Sequence, residues 1–202
     1  MKRKAARLPA VLGLCALLLG GCGAPAGTSG AENLPVDYLL GDFAVDVYNP
    51  CELVGFSDYY FIAAVDEVTA TSYRHEVTLE TEGGGKKTLS TPYTDYTVTV
   101  LRNVKGALPE VGPVPLTKAG GVARDGKSVV LYEDDLLLEP GKTYAITACV
   151  QEDGTLLVSG PNSCELVEDG VNMISSGLDE YESHYLNEVP YDRERYEYAQ
   201  GV

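Results

Sequence analysis

Chemistry at neutral pH needs proton carriers, activated nucleophiles or clustered metal ligands, and this chain has few in workable arrangements. Its two histidines are His75 and His184. His75 lies in an alternating run beside Glu76, and His184 follows Glu180 and Glu182. Neither sits in a triad or a metal-binding spacing, so a surface position is expected for both. No G-x-S-x-G or H-E-x-x-H motif is present, and Gly83-Gly84-Gly85-Lys86 lacks the spacing and strand-to-helix context of a phosphate loop. Acids recur in pairs at Asp66-Glu67, Glu133-Asp134-Asp135, Glu152-Asp153, Glu168-Asp169 and Asp179-Glu180. Two carboxylates at a suitable separation can hydrolyse glycosides, but neighbouring acids in turns ordinarily just face water. Asp125-Gly126 and Asp153-Gly154 read as turns and not as calcium loops. No catalytic residue, metal ligand or cofactor is assigned. Cys51, Cys149 and Cys164 form an odd set that can supply one disulfide of open pairing or remain reduced. Their spacing is not that of a zinc site.

The first 22 residues carry the sharpest signal. Lys2, Arg3, Lys4 and Arg7 precede an apolar stretch from Leu8 to Leu19, and Leu19-Gly20-Gly21-Cys22 closes it. This is the plan of a secretory signal peptide. The stretch spans ~18 Å as a helix, short of the ~30 Å hydrocarbon core. Leu-Gly-Gly-Cys resembles the bacterial lipobox, which implies cleavage before Cys22 and a diacylglycerol on its sulfur. Cys15 would leave with the leader. Residues from Gly23 to about 36 are small, polar and rich in Pro and Gly, as in a flexible tether. The expected organisation is residues 1–21 as leader, 22–36 as tether, 37–172 as a β-barrel domain and 173–202 as a C-terminal helix and acidic tail.

The formal net charge is −15. The leader holds four cations and no acid, so the chain beyond it is more acidic still. Nucleic acid is excluded as an expected partner, because phosphate binding needs Lys/Arg clusters. Aromatic content is skewed, with 14 Tyr against 3 Phe and no Trp. Tyrosine suits binding surfaces and can stack on sugars. The plainer expectation is that Tyr96 and Tyr144 fill the core and the tail tyrosines coat the domain.

Strand signals dominate the folded part. Asp58 to Val68 opens with a nearly continuous apolar run, as in a strand buried on both faces. His75 to Glu82 alternates, with Val77 and Leu79 on one face, and Gly83 to Lys87 reads as a turn. Tyr93 to Val104 alternates most cleanly, with Tyr96, Val98 and Val100 on one side. Short runs follow at Val114 to Thr117, Ser128 to Tyr132, Thr143 to Val150, Thr155 to Ser159 and Cys164 to Val167. Glu139-Pro140-Gly141-Lys142 and Glu152-Asp153-Gly154 mark turns. Leu178 to Val189 suits a short amphipathic helix capped by Ser175 or Ser176. Asp192 onward is expected to fray.

Six or seven short strands with Gly/Pro turns favour a mainly β fold, read here as a small OB-like antiparallel β-barrel with a short C-terminal helix. At Asp95 to Gly106 and Glu139 to Ala148 the chain resembles the OB-like barrel of the netrin and tissue-inhibitor-of-metalloproteinase type. It looks more closely like uncharacterised surface lipoproteins of Gram-positive bacteria that share this pattern. In the inhibitors a free N-terminal cysteine chelates the protease zinc; a lipidated Cys22 on a tether would not do so. The functional expectation is a non-catalytic binding or interaction module, held through Cys22 on the outer face of the cell membrane, with a surface protein or cell-wall glycan as partner. The alternatives are a hydrolase using paired surface carboxylates and an inert surface spacer.

Overall fold

β-Branched and aromatic residues at alternate positions build the long strands. The computed structural model describes residues 33–81, 83–167 and 178–199. The leader, Cys22, most of the tether, Glu168-Asp169 and the capping Ser175 and Ser176 lie outside these residues. The elements are β1 (Val36–Leu39), α1 (Pro50–Phe56), β2 (Tyr59–Glu80), β3 (Lys86–Lys105), β4 (Val114–Ala119), β5 (Gly121–Val122), β6 (Val129–Tyr132), β7 (Thr143–Val150), β8 (Leu156–Val158), β9 (Cys164–Leu166) and α2 (Leu178–Leu186).

The main sheet runs β2-β3-β4-β8-β7-β9, and the first part of β2 pairs with β7 as well as with β3. A second sheet has the order β1-β6-β5. Phe61, Ala63 and Val65 of β2 join Tyr96, Val98, Tyr144, Ile146 and Val158 in the principal core. Tyr60 and Ile62, on the opposite face of the same strand, pack with Val54 of α1 and Tyr181 of α2. The opening of β2 is therefore buried on both faces, as its unbroken apolar run requires. α1 begins with Asn49 as its cap, the Asn49 side chain accepting from Cys51 N–H at 3.1 Å, and Pro50 fits the first turn, where no N–H is needed.

The expected OB-like antiparallel barrel is corrected by these pairings. β4 and β8 run parallel, at Thr117–Leu157 and Lys118–Val158, and β1 and β6 run parallel through four residues. Among the described residues the protein is mostly β with two helices, built on sheets of mixed direction and not on a closed antiparallel barrel. The netrin-type resemblance and its OB-like fold fall with that expectation. Alternation fixes which residues face the core; it does not fix a strand's neighbour or direction. β1 was hidden for another reason: Val36–Leu39 is exposed along most of its length and begins at the last residue expected to be tether.

Candidate functional site

Three features stand out on the described residues: a projecting ribbon, a strapped C-terminal segment and a buried ion pair. The ribbon is the outer part of the β2–β3 hairpin. Beyond Val65 on β2, and before Thr94 on β3, most positions are exposed. Val77 pairs with Leu89, and Leu79 lies two residues along on the same face. These three are 53, 43 and 47 % exposed, so the strands present an uncovered aliphatic face. A register shift between Arg74 and Val77 inserts an extra residue, and His75 there takes φ 55°. Its Nε2 lies 3.4 Å from the Tyr93 hydroxyl, while the Arg74 guanidinium sits 4.4 Å over the Tyr93 ring. The ribbon is buttressed at its middle. Tyr73 donates to the Val122 carbonyl at 3.2 Å, and Arg124 packs over Tyr73 at 4.7 Å and pairs with Glu76. Nothing among the described residues covers the Val77–Leu89 pair beyond it.

The strap follows α2. Val189 N–H donates to the Cys51 carbonyl at 3.0 Å. Arg193 and Arg195 then converge on Asp58 at 2.6 and 2.7 Å. They also donate to the carbonyls of Gly55, Phe56 and Ser57 at the end of α1 and, within the strap, to those of Tyr191 and Glu194. Cations are favoured where helix carbonyls lack partners. Tyr191 packs edge-on against Phe56, and Tyr198 against Tyr59. The expected fraying from Asp192 onward is thus corrected: the acidic stretch carries two arginines that pin it. A recess of about 520 Å³ lies beside the strap, lined by Asp58, Lys105, Glu188 and Arg195 among others. Lys105 pairs with Glu188 at 2.5 Å and Arg195 with Asp58, so these charges are satisfied by one another.

The buried pair joins Lys118 of β4 to Asp135, with Nζ 2.7 Å from Oδ1 and side chains 0 and 1 % exposed. Burial pushes the Asp135 carboxyl above its usual range despite the opposing pull of Lys118. Lys118 carried no expectation from sequence, and Asp135 was expected to face water as one of three adjacent turn acids; its burial corrects that. For Lys118 the signal was the phase of Val114 and Leu116, which turns it inward.

The residues singled out from sequence are scattered. Cys51 on α1, Cys149 on β7 and Cys164 on β9 are free thiols. Burial raises the pKa of Cys149 and Cys164, which keeps them as weakly nucleophilic thiols. His75 is exposed on the ribbon; His184 is half-buried on α2 with its ring 6.4 Å from that of Tyr181. Among the described residues the acid pairs form no shared cluster. Asp66 accepts from Thr99, Asp134 from Tyr48, and Asp153 from Thr155 within its own turn. Tyr96 and Tyr144 fill the core. Among the described residues no group of three His, Cys, Asp or Glu is placed to hold a metal, and no helix is long and apolar enough to cross a membrane. No protein-family model matches the chain, and no curated protein matches it either.

Proposed function

We propose that this chain is a non-catalytic interaction module, anchored by lipid at Cys22 on the outer face of the cell membrane, which engages a surface protein through the β2–β3 ribbon. The observation that supports this reading is the aliphatic face of Val77, Leu79 and Leu89. A two-stranded ribbon is marginal by itself, and here it keeps aliphatic residues out of the core at the far end of a buttressed arm. Aliphatic side chains on a strand face suit a protein surface better than a glycan, which would call for stacked aromatic rings. The tether and the arm then play complementary roles, one spacing the domain from the bilayer and the other reaching outward.

The test is a photo-crosslinking residue placed at Leu79 in intact cells. A second placement at Val111, which is 92 % exposed on the β3–β4 loop, serves as the comparison. One protein captured from Leu79 and not from Val111, and lost on Val77→Asp, is the expected result. Equal background capture from both positions would reject the ribbon as the contact and leave the inert-spacer reading in its place.

A further inference from the structure

Lys118 and Asp135 meet in the interior of the domain. Alternation along β4 turns Val114, Leu116 and Lys118 to the same buried side, and Lys118 lies in register with Thr94 on β3 and Val158 on β8. Asp135 reaches it from the turn after β6. Asp134 takes φ 59° there, and Asp135 N–H closes the turn onto the Tyr132 carbonyl at 3.2 Å. Asp135 Oδ1 accepts from Lys118 Nζ at 2.7 Å and from its neighbour Leu136 N–H at 2.8 Å. Oδ2 is buried and has no hydrogen-bond partner among the described residues. The Cys164 thiol also faces the lysine amine.

As an ion pair this arrangement is incompletely compensated. A buried carboxylate and ammonium repay their lost hydration only when the remaining lone pairs are satisfied, and Oδ2 is not. Moving one proton from nitrogen to oxygen removes both charges and leaves a primary amine against a carboxylic acid. The amine nitrogen is then in van der Waals reach of the acid carbon, held by two strands and a closed turn. Such fixed placement raises the effective concentration of one reactant at the other by many orders of magnitude. The two side chains are 0 and 1 % exposed, so bulk water is kept from the pair and does not reverse a condensation.

We propose that Lys118 and Asp135 are joined by an intramolecular isopeptide bond between Nζ and Cγ, formed once the chain has folded. The neutral Nζ attacks Cγ and a C–N bond forms. The tetrahedral intermediate loses one carboxyl oxygen as water, carrying the proton released from nitrogen. No oxidant, reductant or activated group is needed. The product replaces two buried charges with one amide donor and one amide acceptor, and it ties β4 to the β6 turn covalently.

The test is a trypsin digest of the full chain, denatured and reduced. An amide on Lys118 blocks cleavage there. Residues 106–124 should then emerge joined to residues 128–142, with a combined mass one water below the sum of the two peptides. Lys118→Arg and Asp135→Ala should each abolish the branched species. A linear peptide ending at Lys118 in the wild-type digest would overturn the proposal, and that reading does not depend on any variant folding. Loss of water confined to the peptide containing Asp125-Gly126 would overturn it equally, since that dipeptide cyclises without any lysine.

Discussion

Asp58 shows how one side chain can hold distant segments together. It is 7 % exposed and accepts from Val150 N–H at 2.8 Å, from Arg193 and from Arg195, the last 137 residues away in sequence. Burial by itself would raise its pKa; the bond from Val150 and those from the two arginines outweigh burial and hold it below the usual carboxylate range. A group whose folded pKa is depressed contributes stability above its unfolded value and loses it as pH falls through the folded one. Asp58→Asn is therefore expected to lower stability in urea titrations by about 3 kcal/mol at pH 7. The gap to wild type should close below about pH 4, where the unfolded carboxyl protonates. A gap independent of pH would mean that the arginines stabilise through packing and carbonyl contacts alone. Residues of this kind were poorly legible in the sequence. Lys118 was readable from the phase of Val114 and Leu116, but its partner depends on the positive φ of Asp134, and Asp58's arginines lie in a stretch whose composition suggests disorder.

At the scale of elements, the strap's fit over α1 depends on Gly55. A Cβ at that position would lie 1.8 Å from the Val189 carbonyl oxygen, so alanine would force the backbone of one segment to move. Gly55→Ala is expected to cost roughly 1–3 kcal/mol and to speed hydrogen exchange across residues 187–199 while the core of β7 stays protected. Unchanged exchange in the strap would show that α1 shifts instead. Strand phases were the most legible layer of this fold, because alternation is a local property. The runs at Thr143 to Val150 and Tyr93 to Val104 fall within β7 and β3, and the helix read from Leu178 ends at Leu186, short of Val189. Strand direction was not legible, since the parallel β4–β8 contact is made between segments far apart in the chain. The tetrapeptide Cys-Glu-Leu-Val makes the point sharply: it is helical at Cys51 and strand-forming at Cys164. The Asn49-Pro50 start of α1 was present in the sequence as a capping signal and passed unread.

At the scale of the whole molecule, the proposal joins a lipid at one end of the chain to a contact surface on the ribbon, and the two are separable. Each buried methylene of an acyl chain contributes ~0.8 kcal/mol, so two chains on a single cysteine suffice for stable anchoring, whereas the acidic domain offers no attraction to anionic lipid. The wild-type chain is accordingly expected to incorporate labelled fatty acid and to begin at Cys22. Cys22→Ser should take up no label, because it has no thiol to carry a thioether. Val77→Asp should be labelled and processed like wild type while losing capture at the ribbon. A mature chain that begins elsewhere, or that carries no lipid, would remove the anchor from the proposal yet leave the ribbon to be judged by crosslinking. Loss of both labelling and capture in Val77→Asp would instead trace to a folding defect in the arm, which the exchange rates of Val98 and Ile146 in the core would register independently.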